Sequence, residues 1–238
     1  MKNLTTLVLV LCLFGCAKKE KTSIDNDFFL IGTLSDYMGR EKYKKVEDRV
    51  DKYSQSEKEL CLSIDSIFKN HYPDLEMSSS VNKTSKKEVY ELHSKTLAEK
   101  IESFYLYKPS RRKIYNGEGK LIDLNIDSLT KTPDFYTTYF DTIYTGSLNQ
   151  DVFETEKQKL SFITGAYVRY GRQTDSLYNI QVSNSISKAK VLNELLKDTG
   201  CSNVEYEIME GYIPTGHIVS FIPTKQLIDY FEKYKNLR

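Results

Sequence analysis

The chain has 238 residues, with 34 Lys+Arg against 33 Asp+Glu, 18 tyrosines and no tryptophan. A net charge of +1 supplies no basic excess to drive nucleic-acid binding by counterion release, and no acidic excess of the kind that makes a solvating tail. Its four cysteines lack CxxC spacing, which excludes a redox or zinc signature, and tyrosine without tryptophan disfavours an aromatic glycan platform.

The oiliest run, Leu4 to Phe14, is interrupted only by Thr5 and Thr6. As a helix it would span roughly 16 Å, against a hydrocarbon core of about 30 Å. Lys2 precedes it and Gly15 follows it, which is the order of a secretory signal peptide. Leu13-Phe14-Gly15-Cys16 resembles the lipobox of bacterial lipoproteins, with Phe14 departing from the usual small or β-branched residue. The resemblance implies cleavage before Cys16 and acylation of Cys16. Ala17, rather than aspartate, resembles lipoproteins sent to the outer membrane of Gram-negative cells. The expected organisation is a leader over 1–15, a lipidated cysteine and flexible tether over 16–27, and one α+β domain over 28–238. Within that domain, 28–172 reads as helix-rich and 173–238 as an open sheet with helices.

Phe28 to Ile31 reads as a strand or first core segment. Val46, Val50, Tyr53, Cys61, Ile64 and Phe68 keep a helical period, predicting a helix from Arg40 to Lys69. Val89, Leu97, Ile101 and Phe104 predict a second, from Ser85 to Tyr107, ended by Pro109. These two are expected to form a long antiparallel pair. Asn116-Gly117 signals a turn, Leu121 to Asp127 alternates like a strand, and Thr132-Pro133 opens a helix closed by Gly146. Asn149 is read as the cap of a helix stopped by Gly171, in which Gly165-Ala166 permits close helix packing and Arg169 and Arg172 suit the helix dipole. Tyr178, Ile180 and Val182 alternate in a strand. Ser187 to Thr199 is helical, with Val191, Leu192, Leu195 and Leu196 inward. Val204, Tyr206 and Ile208 make a second strand, Val219 and Phe221 a third, and Thr224 caps a last helix. The order is β-α-β-β-α, and no internal repeat is visible.

Candidate chemistry is sparse. Asp123, Asn125, Asp127 and Asp134 match EF-hand positions, but Ser128 stands where glycine makes the sharp turn, so a half-buried strand is the better reading. Gly117-Glu118-Gly119-Lys120 lacks the first glycine and the Ser/Thr of a phosphate loop. His71, His93 and His217 have no metal spacing, and neither a metal nor a cofactor is expected. His93 reads as a packed residue of the second helix. His217 with Tyr212 and Glu210 could do acid–base work. Arg111 and Arg112, beside Tyr107 and Tyr115, could meet phosphates or a lipid headgroup, or form a solvated turn. Cys61 and Cys201 are either a disulfide or two packed thiols. No GxSxG appears, while a Ser/His/Asp triad built from distant positions stays open. The expected protein is a lipid-anchored envelope factor at the outer membrane. Its expected partners are the membrane and an envelope protein, with no nucleic acid, and its role is binding or assembly. An envelope hydrolase and a lipidated inhibitor or immunity protein are the alternatives.

Overall fold

The computed structural model describes residues 22–35, 41–42, 48–83, 85–110, 143–211 and 214–237. It is a mixed α+β protein whose sheets are antiparallel. In chain order, helix α1 (Asn26–Thr33) is followed by strands β1 (Glu41–Lys42) and β2 (Arg49–Ser54) and helix α2 (Lys58–Phe68). Strands β3 (Glu76–Val81) and β4 (Glu88–His93), helix α3 (Lys95–Glu102) and strands β5 (Tyr105–Ser110) and β6 (Ile143–Leu148) come next. Then follow helix α4 (Glu156–Tyr170), strands β7 (Gly171–Thr174) and β8 (Leu177–Ser183), helix α5 (Ile186–Asp198), strands β9 (Ser202–Met209) and β10 (Gly216–Ile222), and helix α6 (Lys225–Tyr234).

This order contains a duplication. From α1 to α3, and again from α4 to α6, the elements run α-β-β-α-β-β-α. The sheet orders agree: β2-β4-β3 in the first half and β7-β8-β10-β9 in the second. The first half departs at β1, which pairs with β6 of the connection instead of with β2. The chain therefore has an internal repeat that its sequence does not display.

The two halves meet where α1 crosses α4. Asp25 caps α1, and a Thr155/Gln158 capping box opens α4. Phe28 to Thr33 and Leu160 to Ala166 are all buried, so these helices are core elements rather than amphipathic surface ones. Their contact is reciprocal. A Cβ on Gly32 would lie 2.2 Å from the carbonyl oxygen of Phe162, and one on Gly165 would lie 2.0 Å from that of Phe29. Each phenylalanine stands three residues before its own helix's glycine, so the same patch packs on itself, as in a two-fold interface.

Several expectations change. Phe28 to Ile31 is helical, because Asp25 caps the segment and all four side chains are buried. The long antiparallel helix pair does not form. Residues 49–54 and 88–93 are strands of one sheet, leaving α2 and α3 short. Ser94, after β4, caps α3 through a 3.0 Å bond from the Leu97 amide. Asn149 caps only a single turn, and Thr155 opens α4. In the last segment the three expected strands and two helices are present, with β7 added at the edge, and Val191, Leu192, Leu195 and Leu196 are buried. The Thr22 and Ser23 carbonyls accept bonds from the Tyr234 and Tyr230 hydroxyls of α6, both at 3.3 Å. The readings at residues 114–134, including the calcium-like acids and Asn116-Gly117, lie outside the described residues, while Gly146, expected to close a helix, lies within β6 opposite Tyr107.

Candidate functional site

Beneath the crossing of α1 and α4 lies a buried ionic cluster. α1 ends without a glycine cap, so the carbonyls of its last turn need donors. Lys188 of α5, fully buried, donates its Nζ to the carbonyls of Ile31 (3.0 Å), Gly32 (3.2 Å) and Leu34. Arg169, at the end of α4, gives Nη1 to Thr33 O at 2.8 Å. Two cations thus close the negative end of the α1 dipole from outside the helix.

Arg169 also organises the acids around it. Its Nη1 reaches Asp51 Oδ2 at 2.5 Å, its Nε reaches Glu57 Oε1 at 2.7 Å and its Nη2 reaches Lys52 O at 2.9 Å. The guanidinium lies 4.4 Å from the Tyr53 ring centroid. Asp51 further accepts bonds from Ser35 N, Ser35 Oγ and Lys52 N. Burial by itself would raise the Glu57 carboxyl, but Arg169 together with hydrogen bonds from Ser54 outweighs it and holds the group below its ordinary range. Burial, then the Asp51 charge, pushes the Tyr53 hydroxyl well up and the Cys61 thiol up to about 12. Cys61 is therefore a packed thiol and a poor nucleophile. Every acid of this cluster is spoken for by Arg169, which makes it a joint between the halves.

The accessible chemistry lies on the far side of the sheets. In the C-terminal sheet, Tyr178, Ile180, Val182, Val219 and Phe221 point to the helices, leaving the alternate residues on an open face. Registered neighbours form a row of Arg172, Asn179, Ser220 and Glu205 across all four strands. A second row holds Gln181, Ile218 and Glu207. Ser220 Oγ donates to Asn179 Oδ1 at 2.6 Å. Except for Glu205, these side chains line, together with Tyr170 and Thr174, a shallow groove of about 340 Å³.

The predicted site residues fall elsewhere. His217 is buried with 1% exposure, and its Nδ1 meets Tyr206 Oη at 2.8 Å, so it faces the core and presents nothing to a ligand. Tyr212, Arg111, Arg112 and Cys16 lie outside the described residues. Cys61 and Cys201 are both free. His93 sits on a strand rather than a helix, partly exposed beside Asp48 and Ser78. Among the described residues no helix is long and apolar enough to cross a membrane.

No family model matches the chain, and no curated protein does. Solved structures do. A variant of the homing endonuclease I-DmoI in complex with its target DNA and manganese is 13% identical, with a TM-score of 0.47 over 89% of this chain and 93% of that one. I-DmoI with DNA and calcium gives 12% identity and 0.45 over 87% of each. The N-terminal LAGLIDADG domain of DUF199/WhiA gives 12% and 0.41, over 87% of this chain and 82% of that one.

These findings correct the expected function. The structures are of I-DmoI in complex with DNA and of the N-terminal LAGLIDADG domain of DUF199/WhiA. The lipid-anchored envelope factor, with its outer-membrane site, its membrane and envelope partners and its hydrolase and inhibitor alternatives, is set aside. So is the expectation of no nucleic-acid partner. At TM-scores below 0.5 the likeness assigns no activity to this chain, and its role has to come from its own surface.

Proposed function

We propose that this chain is a nucleic-acid-binding module that lays the open face of its C-terminal sheet along a duplex groove. One observation carries the reading: the row Arg172, Asn179 and Ser220, with Gln181 and Thr174 beside it, fills that face with side chains that donate and accept hydrogen bonds. Arg, Asn and Gln are the residues whose paired donors and acceptors match base edges. Three adjacent strands span roughly 10 Å, which suits a major groove about 12 Å wide. Glu205 and Glu207 on β9 repel phosphates, so contact centres on the β7 and β8 side.

The electrostatics set the test. Arg172 is the main cation on this face, so the reading needs only one or two phosphate contacts, and log K should fall with log salt at a slope no steeper than about −2. Fluorescence anisotropy with a labelled mixed-sequence duplex at low salt should show saturable binding. Arg172→Ala should weaken it by about 1–3 kcal/mol, and Asn179→Ala with Gln181→Ala should flatten any sequence preference. No measurable binding up to about 10⁻³ M protein, roughly tenfold above the weak end of non-specific affinities, would end this reading.

The lipobox-like motif supports a separate proposal, acylation of Cys16. Metabolic labelling with a fatty acid should mark the chain and should be lost in Cys16→Ser. Label retained in that variant would remove it.

A further inference from the structure

We propose that Asp48, His93 and Ser78 form a hydrolytic triad on the open face of the N-terminal sheet, with Ser78 as acyl acceptor and small esters as substrates. His93 Nδ1 lies 3.4 Å from Asp48 Oδ1, and its Nε2 lies 3.2 Å from Ser78 Oγ. The imidazole thus has a carboxylate on one nitrogen and a hydroxyl on the other, which is the relation a nucleophilic serine needs. The sequence contains no local motif for it, because the three residues come from three chain segments.

The fold holds them together. His93 ends β4, opposite Glu76 of β3, and Ser78 faces Glu91, so His93 and Ser78 are diagonal neighbours on one face. The Asp48 carbonyl accepts the Ser94 amide at 2.6 Å, fixing Asp48 beside His93. Ser94 Oγ in turn bonds Asp74 at 2.8 Å. Glu91 Oε2 is 3.8 Å from His93 Nε2, beyond hydrogen-bond reach, and Glu91 Oε1 is taken by Arg49 (3.6 Å) and Lys52 (3.3 Å). Ser78 is therefore the nearer partner of Nε2. The His93 side chain is 29% exposed and Ser78 is exposed, so an ester can approach from solvent.

The step balances without a co-reactant other than water. Ser78 Oγ attacks the acyl carbon while its proton passes to His93 Nε2. The bond to the leaving alcohol breaks, and that proton passes from Nε2 to the alkoxide. Water then attacks the Ser78 ester, giving up a proton to Nε2, and the proton returns to Ser78 as the carboxylic acid leaves. Asp48 is a positioning residue that holds the Nδ1 proton and balances the imidazolium. Arg49 and Lys52 lie on the same face, each paired with Glu91. An open sheet excludes little water, so turnover should be slow and confined to activated esters.

The full chain should hydrolyse 4-nitrophenyl acetate with an initial burst, and a fluorophosphonate probe should label it at Ser78 by mass spectrometry. Ser78→Ala should remove burst and label while melting at the wild-type temperature, and Ser80→Ala on the same edge should change neither. His93→Gln should abolish labelling. Asp48→Asn should slow it by roughly tenfold or more and alter the pH–rate profile, which a purely structural role would leave unmoved. Absent labelling of the folded protein, or a burst unchanged in Ser78→Ala, overturns the proposal. Neither result bears on duplex binding by the other sheet.

Discussion

The two halves share an order of elements, yet they contribute opposite things to their joint. The first half brings acceptors: the carbonyls ending α1, and the carboxylates of Asp51 and Glu57. The second brings donors, Arg169 and Lys188. The backbones meet symmetrically, glycine against carbonyl on both sides, while the side chains meet as unlike partners. The difference shows how a duplicated fold becomes specific. Reciprocal helix packing would serve two copies of either half equally well. Two copies of the first half would bury acids without cations, and two copies of the second would bury cations without acids.

The symmetric part of that comparison breaks most severely. Gly165→Ala and Gly32→Ala should each cost at least about 3 kcal/mol, because the new Cβ meets backbone that cannot yield without parting the helices. Chemical denaturation of both variants checks this, and unequal losses would show that the crossing is less reciprocal than its distances. The asymmetric part comes next. Arg169→Met strands Asp51 in the core and should cost about 3–5 kcal/mol. Adding Asp51→Asn should recover part of the loss, since the uncompensated charge is gone, and a double-mutant cycle measures the coupling. The smallest effect is in pH. Glu57 is held below its ordinary 4.5, so it contributes stability above that value that is lost as pH falls through the folded one. Urea midpoints of wild type should therefore drop more steeply in acid than those of Glu57→Gln. Parallel curves would mean that Arg169 does little for Glu57.

The halves also differ in how far their sequences can be read. The second was largely legible. Tyr178, Ile180 and Val182 alternate without interruption, and Thr224 caps α6 where a cap is expected. In the first half, Val46, Val50 and Tyr53 are spaced by four and three, which imitates a helix. The bulge between Arg49 and Asp51 places Val50 and Asp51 both inside and so breaks the alternation that would reveal β2. The repeat was hidden because the central helices share little beyond a phenylalanine three residues before a glycine. At the joint, Arg169 reads locally as a cation suited to its own helix end, whereas it serves the end of α1. Nothing near Lys188 distinguishes it from a surface lysine. Its role exists only because α5 brings it against a helix more than a hundred residues earlier.

That long reach has a consequence for synthesis. α1 is buried from Phe28 to Thr33, and the helix that packs across it begins at Glu156. Phe29 leaves the ribosome 136 residues ahead of Gly165. At about 5–20 residues per second, the FFLIG segment therefore waits roughly 7–27 s for its partner. For that interval the nascent chain displays an uncovered hydrophobic peptide beside a half-domain whose acids still lack their cations.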